Sequence, residues 1–354
     1  MAALSSNTIL SSSASTILDF TRIICERNSK RFEKDGINIS TSIVQNKSKQ
    51  DACGYVKGKE FDIVWCSDSH GGRVDGKSKT IRDFLNSISD ERWIEYLSQD
   101  NFYKGGIDES TNAYTSHLFE DIAKQGPYSD TGATLSIVKI TPTTIECYRV
   151  GDSPIYVFRD GENILYSNHE EEYSSDILKL KERNYFKYIH GKCVTDNGVT
   201  EETDIRALSE TDMEIFKSNY IYWHTGFATN MTRSIGHNYP RAQKRCEENF
   251  KFFKKSPDDV FEVSLPDWTM TKTVIERIPE TKEKIIVATD GFSCVSGTFD
   301  YERMYSAETA TDIMVFTYKR WIQEWTAMAE GIAAFKQRLP DWNRDDIAIV
   351  MWNN

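Results

Sequence analysis

The fold of this chain is decided by the stretch Phe61-Asp62-Ile63-Val64-Trp65-Cys66, which is followed directly by Ser67-Asp68-Ser69-His70-Gly71-Gly72. The apolar and aromatic residues of the first half predict a buried strand over residues 62–66. The second half adds a carboxylate at Asp68, an imidazole at His70 and two glycines. Because a strand holds the side chains at its end rigidly, this arrangement favours a metal-assisted catalytic site and indicates a hydrolase.

The composition predicts a globular protein. The chain has 354 residues, of which 39% are hydrophobic and 12% aromatic, and this content can fill one large core or two smaller ones. The net charge of −11 offers no basic surface for a phosphate backbone, so the sequence predicts no nucleic-acid partner. An acidic surface also repels anionic lipid. Since no segment approaches the roughly 20 apolar residues that span a bilayer, no membrane association is expected.

Cysteine usage and the N-terminal residues indicate the compartment. The seven cysteines form no C-x-x-C pair, and an odd number in a large chain argues against a disulfide framework. We therefore expect a reducing compartment, the cytoplasm or alternatively the nucleus. The first twenty residues are rich in serine and lack Lys and Arg, unlike a secretory signal or a mitochondrial presequence. We interpret residues 1–40 as an N-terminal tail or capping segment ahead of one domain over residues 41–354.

Strand and helix patterns alternate along that domain without a repeat. Strands are predicted over residues 62–66, 133–140, 144–150, 155–159, 162–166, 284–289 and 346–352. Asp160-Gly161 predicts a β-hairpin with a type I′ turn, since this pair accepts positive φ angles. Apolar residues spaced by three and four predict amphipathic helices over 114–122 and 321–335. Residues 170–280 are less periodic and densely charged, and we interpret them as an irregular insertion.

Carboxylates recur where the predicted strands end. Asp68 and Asp290 each follow a predicted strand, and Asp345 leads into the last one. Asp51, before a short apolar stretch, is a weaker fourth candidate. Taken singly, an aspartate at a strand end is more often a turn or capping residue. A cluster of carboxylates is different, because the charges repel one another unless a cation neutralises them, and such hard oxygen ligands select Mg²⁺ or Mn²⁺.

An ordered set of motifs resembles the metal-dependent protein phosphatases of type 2C. Asp68-Ser69-His70-Gly71-Gly72 is similar to the family's Asp-Gly-His-Gly-Gly, and Gln50-Asp51 is similar to the end of its Asn-Gln-Asp or Glu-Asp element. Further similar motifs follow in the family's order: Thr131-Gly132-Ala133-Thr134, Val150-Gly151-Asp152-Ser153, Thr232-Arg233-Ser234-Ile235-Gly236, Asp290-Gly291 and Arg344-Asp345-Asp346. The resemblance covers most of the chain, from about residue 40 to residue 354.

The resemblance implies an α+β fold, a four-layer α-β-β-α sandwich with two central antiparallel β-sheets. It also implies a protein-serine/threonine phosphatase that hydrolyses phosphoserine and phosphothreonine in phosphorylated protein substrates by a metal-activated water. Asp68 would bridge two Mg²⁺ or Mn²⁺ ions. Asp51 and the Ser69 carbonyl would bind one of these ions, and Asp290 and Asp345 the other.

The same resemblance implies roles for two further side chains. His70 would act as the general acid that protonates the leaving serine or threonine oxygen. The family usually carries a phosphate-gripping arginine about five residues before the position of Asp51, and a lysine is not equivalent to an arginine at a forked phosphate contact. Here only lysines are available, and Lys47 is the candidate phosphate-binding residue.

Other departures from the family pattern keep a second function open. Asp152 is the candidate for a third, weaker metal site, which the family often completes with a residue that is Cys294 here. Pro154 and His237 also replace family residues. The alternative to a phosphatase is therefore a noncatalytic regulator, a pseudophosphatase that uses the same fold to bind a phosphoprotein or another protein partner.

Overall fold

The fold is described from a computed structural model. The structure describes residues 26, 29–34, 36–45, 49–71, 80–105, 107–108, 113–124, 131–168, 186–190, 220–223, 228–229, 233–236, 269–293, 300–331 and 345–354. Two large antiparallel sheets dominate this part of the chain, and helices cover their outer faces. The arrangement confirms the predicted four-layer α-β-β-α sandwich.

Both large sheets combine strands from distant parts of the chain. The six-stranded sheet has the spatial order β1 (Ser29–Lys34), β2 (Ile37–Val44), β18 (Ile347–Asn353), β17 (Glu283–Ala288), β10 (Ile155–Arg159) and β11 (Glu162–Ser167). The seven-stranded sheet has the order β15 (Ile235–Gly236), β7 (Thr131–Ala133), β4 (Asp62–Gly71), β8 (Leu135–Ile140), β9 (Thr144–Val150) and β16 (Thr271–Glu276), and β3 (Asp51–Lys57) also pairs with β4. Two smaller sheets contain β5 (Ile107–Asp108) with β6 (Ala113–Tyr114), and β12 (Phe186–His190) with β13 (Tyr220–Trp223) and β14 (Ala228–Thr229).

The helices lie on the two outer faces. The described helices are α1 (Thr80–Ser87), α2 (Asp90–Leu97), α3 (His117–Lys124), α4 (Asp290–Ser293), α5 (Tyr301–Ser306) and α6 (Ala310–Gly331). The first three pack on the seven-stranded sheet and the last three on the six-stranded sheet. In the part of the chain that is described, no helix combines the length and the apolar character needed to cross a bilayer.

The central strands are buried on both faces, which fixes the layer order. In β4, Val64 and Cys66 pack into an apolar cluster between the two sheets. Their neighbours Ile63 and Trp65 point the opposite way, into the cluster beneath α1 to α3. Because successive side chains of a strand alternate between faces, this pattern places β4 in the middle of the sandwich. The end of β4 is therefore held rigidly by layers on both sides.

The predicted elements agree with the structure where the sequence is locally periodic. The hairpin at Asp160-Gly161 is confirmed, with φ angles of 49° and 94° in the turn between β10 and β11. The predicted strand over 133–140 is divided into β7 and β8 at Thr134. The helix predicted from residue 114 begins at His117. Residues 321–331 of the helix predicted over 321–335 belong to α6, and residues 332–335 lie outside those described.

Two predicted segments need comment. The tail or capping segment predicted over 1–40 contains β1 and the start of β2, so the six-stranded sheet begins within it, with β1 as its edge strand. The irregular insertion predicted over 170–280 falls mostly outside the described residues. Its final part is regular, because β16 pairs along its whole length with β9.

A buried lysine lies on the helix-covered face of the six-stranded sheet. Lys284 in β17 is only 6% exposed. Its Nζ donates hydrogen bonds to the main-chain carbonyl oxygens of Tyr305 and Ala307 at the end of α5. Burial lowers the pKa of Lys284 to about 8 from an ordinary value of 10.5.

This lysine predicts a pH dependence of stability. Between pH 8 and 10.5 the unfolded chain retains a proton that the folded chain releases, so the free energy of unfolding should rise with pH in this window. Urea unfolding at about pH 7 and about pH 9.5 measures the change. From the lower to the higher pH, the free energy of unfolding of the wild-type protein should rise relative to that of Lys284→Met, which lacks the titrating group. The same change in both proteins would contradict the prediction.

Candidate metal centre

Strand pairing brings the predicted carboxylates to one end of the sandwich. Asp51 is the first residue of β3 and lies directly opposite Asp68 of β4. Asp290 begins α4 immediately after β17, and Asp345 precedes β18, the strand that pairs with β17. Asp152 lies in the turn after β9. The charges of Asp51, Asp290, Asp345 and Asp152 all act on the carboxyl group of Asp68, so Asp68 occupies the central position.

Asp68 and His70 lie within β4, whereas the sequence predicted a strand that ended at Cys66. The strand continues to Gly71 because Ser69, His70 and Gly71 pair with β7. Residues two apart on a strand share a face, so Asp68 and His70 both point towards the other sheet. The strand itself, and not a loop after it, positions these two side chains.

Asp51 is held by a threonine that links the two sheets. The Asp51 side chain is buried, and its Oδ2 accepts a hydrogen bond of 2.5 Å from the Thr289 hydroxyl. The oxygen of that hydroxyl also accepts a hydrogen bond of 2.9 Å from the main-chain N–H of Ala348. On the other side, Gln45 Nε2 donates to the Asp51 carbonyl oxygen at 2.6 Å. These contacts fix Asp51 relative to β17 and β18.

Asp68 is held through its main chain by Thr134. The Asp68 N–H donates to Thr134 Oγ1 at 2.8 Å, and the Thr134 N–H donates to the Asp68 carbonyl oxygen at 2.8 Å. Thr134 Oγ1 also shares a hydrogen bond of 2.6 Å with the hydroxyl of Ser153, which follows Asp152. The break between β7 and β8 thus connects the central carboxylate to the turn after β9.

The turn that carries Asp152 is tightly built. Gly151 has a φ of 85°, and a Cβ at this position would lie 2.7 Å from Thr134 Cγ2, so only glycine fits. The buried guanidinium of Arg149 donates a hydrogen bond of 2.6 Å to the Gly151 carbonyl oxygen. Asp152 itself is buried, and its charge acts on Asp290. The structure therefore brings the candidate for a third metal site near the other carboxylates.

The electrostatics of the cluster are those of carboxylates crowded away from water. Burial is the main cause that raises the pKa values of Asp51, Asp68 and Asp290 well above the ordinary value. The carboxylate of Asp51 raises the pKa of Asp68 further, and that of Asp152 raises the pKa of Asp290. Burial also raises the pKa of Asp345. Burial and repulsion thus disfavour the charged form of each carboxyl group, and a bound cation would favour that form instead.

The donor set fits a divalent cation. Among the described residues, one oxygen on each of Asp51, Asp152 and Asp290 is buried without a hydrogen-bond partner, which is costly unless a cation binds there. In the described segments, no three acidic, thiol or imidazole groups are arranged around one ion position as they stand. Carboxylate oxygens are the ligands that Mg²⁺ and Mn²⁺ prefer.

The remaining predicted residues differ in how far they can be located. Burial lowers the pKa of His70 to about 4, so its imidazole is neutral near pH 7, whereas a general acid needs the protonated form. Ser69 is buried, and its N–H contacts the Gln50 carbonyl oxygen at 3.4 Å. Lys47, the predicted phosphate-binding residue, and Cys294 lie outside the described residues.

Three residues that support the site were not predicted. Thr134, Thr289 and Asp346 supply the hydrogen bonds that hold the carboxylate-bearing segments together. Each has a sequence signal, because Thr134 and Asp346 lie in motifs similar to the family's and Thr289 directly precedes Asp290. Their partners lie far away in the chain, so neighbouring residues alone do not identify these contacts.

Comparisons with known proteins agree with this fold. A sequence model described as protein phosphatase 2C matches residues 40–342. No curated protein sequence matches the chain. A serine-threonine phosphatase 2C from Toxoplasma gondii is 10% identical, with 92% of this chain and 98% of that chain covered and a TM-score of 0.50.

Two bacterial structures are similar over much of their length. The serine/threonine phosphatase of S. agalactiae is 17% identical, with 89% of this chain and 98% of that chain covered and a TM-score of 0.42. The Mycobacterium tuberculosis serine/threonine phosphatase PstP/Ppp is 13% identical, with 90% and 98% covered and a TM-score of 0.40. At such low identities, similarity to a solved structure concerns the fold alone. The family model, in contrast, matches most of the sequence. The chain therefore belongs to the protein phosphatase 2C family.

Proposed function

We propose that this protein is a metal-dependent phosphatase that hydrolyses phosphoserine or phosphothreonine in phosphorylated proteins. One observation carries the proposal: Asp68 lies opposite Asp51 at one end of the sandwich, and the charges of Asp51 and Asp290 both act on its carboxyl group. Burial and mutual repulsion disfavour all three charges unless cations bind among them. Membership of the protein phosphatase 2C family supports the same chemistry.

The proposed metal ligands come from both sheets. Two Mg²⁺ or Mn²⁺ ions would be held by Asp51, Asp68, the Ser69 carbonyl, Asp290 and Asp345. When bound, the ions would supply the Lewis acidity that activates water and neutralises charge on the phosphoryl group. The chain's own part is to hold these groups in place through β3, β4, α4 and β18. Asp152 is the candidate for a third, weaker site.

His70 and Lys47 have proposed roles towards the substrate. His70 would give its proton to the serine or threonine oxygen as the bond between that oxygen and phosphorus breaks. Its imidazole is neutral in the state described here, and a phosphate dianion beside it would favour the protonated form. Lys47 would contact the phosphate as a point charge. The cytoplasm or the nucleus remains the predicted compartment.

A noncatalytic regulator is the second candidate function. It is favoured by the family arginine that is missing before Asp51 and by the departures from the family pattern at Pro154, His237 and Cys294. Such a protein would bind a phosphorylated partner without cleaving it. Metal binding and turnover separate the two candidates.

The test is phosphate release from a phosphothreonine peptide with Mn²⁺, with Mg²⁺ and with a chelator. Turnover that requires either ion is the expected result. In parallel, thermal unfolding reports metal binding, because an ion present at 100 times its Kd adds about 2.7 kcal/mol to the free energy of unfolding. Stabilisation by Mn²⁺ without turnover would favour the regulator. The absence of both turnover and stabilisation would contradict the proposed metal chemistry.

A further inference from the structure

The chain enters β3 through a residue with an unusual backbone conformation. Lys49 has a φ of 55°, in the left-handed region that non-glycine residues rarely adopt. Gln50 and then Asp51 follow directly, so the conformation of Lys49 sets where β3 begins. A left-handed non-glycine residue is strained and persists only where its surroundings hold it. The contacts that hold Lys49 therefore bear on the position of Asp51.

The peptide group between Lys49 and Gln50 is held at both ends by charged side chains. Its carbonyl oxygen accepts a hydrogen bond from the guanidinium of Arg82 on α1. Its N–H donates a hydrogen bond of 2.7 Å to Asp346 Oδ2, next to the start of β18. Charge-assisted hydrogen bonds of this kind are stronger than neutral ones. One peptide group thus connects α1, the start of β3 and the start of β18.

The surroundings of the two side chains favour a fixed geometry. Asp346 is 1% exposed, and its own N–H donates a hydrogen bond of 2.9 Å to Asp345 Oδ1. The Arg82 side chain is 19% exposed and is also paired with Asp83 on the same helix. Asp346 thus contacts the start of β3 through its carboxylate and the metal-ligand candidate Asp345 through its main-chain N–H.

We propose that Arg82 and Asp346 act as positioning residues, a peptide clamp on the Lys49–Gln50 peptide group that holds Asp51 where it can bind a metal ion. The inference rests on the proposed function and adds to it two residues that do not bind the ion themselves. Without the clamp, Lys49 would relax towards negative φ, and the first residue of β3 would shift away from Asp68. Outer contacts of this kind typically change metal affinity by about 10- to 100-fold.

Calorimetric titration with Mn²⁺ tests the clamp without reference to turnover. Asp346→Ala removes the acceptor and should raise the Kd about tenfold, whereas Asp346→Asn keeps an amide oxygen in its place and should stay within about threefold of wild type. Arg82→Met should also raise the Kd about tenfold. Arg31→Met is the matched control, since Arg31 lies on the edge strand β1, paired with Glu33 at 3.1 Å. This control should bind Mn²⁺ like wild type.

A rescue variant tests positioning directly. Glycine adopts positive φ without penalty. The double variant with Lys49→Gly and Asp346→Ala should therefore bind Mn²⁺ at least about threefold more tightly than Asp346→Ala alone. Loss of affinity in Asp346→Asn equal to that in Asp346→Ala, with no rescue by glycine, would overturn the positioning role. Should Asp346→Ala fail to unfold cooperatively, Lys49→Gly is combined with Arg82→Met instead.

The titration also separates this proposal from the proposed function. Wild-type protein that binds Mn²⁺, together with an unchanged Kd in Asp346→Ala and Arg82→Met, would overturn the clamp alone. Wild-type protein that binds no Mn²⁺ would overturn the proposed metal chemistry and the clamp with it.

Discussion

Asp68→Asn is expected to lower kcat for phosphothreonine hydrolysis about 1,000-fold. The substitution keeps the size of the side chain but removes the central negative charge, which is proposed to face both ions. Removing one group that stabilises transition-state charge typically lowers kcat about 100- to 1,000-fold. Because Asp68 is central, an effect at about the upper end of this range is expected. Steady-state phosphate release with saturating Mn²⁺ measures the effect. Asp100→Asn, at an exposed position after α2, should retain wild-type kcat.

The same substitution should not weaken the metal-free fold. Because burial raises the pKa of Asp68 and the neighbouring carboxylates raise it further, the charged form is unfavourable in the folded state. Asparagine carries no such charge, so unfolding in chelator should occur at the wild-type temperature or above it. Turnover close to wild type would contradict the assigned role, and loss of the fold in chelator would show that Asp68 serves stability instead.

Gly291→Ala is expected to destabilise the protein by about 3 kcal/mol and to abolish Mn²⁺ binding. A Cβ at Gly291 would collide with the main-chain carbonyl oxygen of Asp346, closer than real Cβ contacts occur. Since the neighbour is backbone and not a flexible side chain, either α4 or the start of β18 must move. These two segments carry Asp290 and Asp345, so the collision should separate two proposed ligands of one ion.

Gly36→Ala is the matched control for this prediction. Gly36 has a φ of 81° and no atoms within 4 Å of a built Cβ, so alanine there adds backbone strain without a collision. It joins β1 to β2 at the end of the sheet remote from the carboxylates. A loss of about 1 kcal/mol with unchanged Mn²⁺ affinity is expected. Urea unfolding and titration of both variants measure the difference, and equal effects would contradict the account of Gly291.

Much of the fold was predictable because its central strands are apolar and its motifs are ordered. The hairpin around Asp160-Gly161 and the strand over 144–150 follow from local sequence alone. β2 was missed because its buried residues include Ser40, Thr41 and Ser42, which carry no hydrophobic signal. Their burial depends on distant partners, such as the Ala310 N–H that donates to Ser40 Oγ at 2.8 Å.

The site was predictable only in part, for a similar reason. The aspartates were identifiable as candidates from their places at strand ends and from the family resemblance. The end of β4 was predicted too short, because Ser67 to His70 are polar and become strand only through pairing with β7. The contacts of Thr134, Thr289 and Asp346 join segments far apart in sequence, so the neighbouring residues do not identify the partners.

The central claim is that the clustered aspartates form a divalent-metal centre, and counting bound ions tests it most directly. Equilibrium dialysis against saturating Mn²⁺ gives the number of ions per chain. The account predicts about two ions for wild-type protein, as in other two-metal phosphoryl-transfer sites, and fewer for Asp68→Asn. Wild-type protein that binds no Mn²⁺, or an Asp68→Asn variant that binds as many ions as wild type, would contradict it.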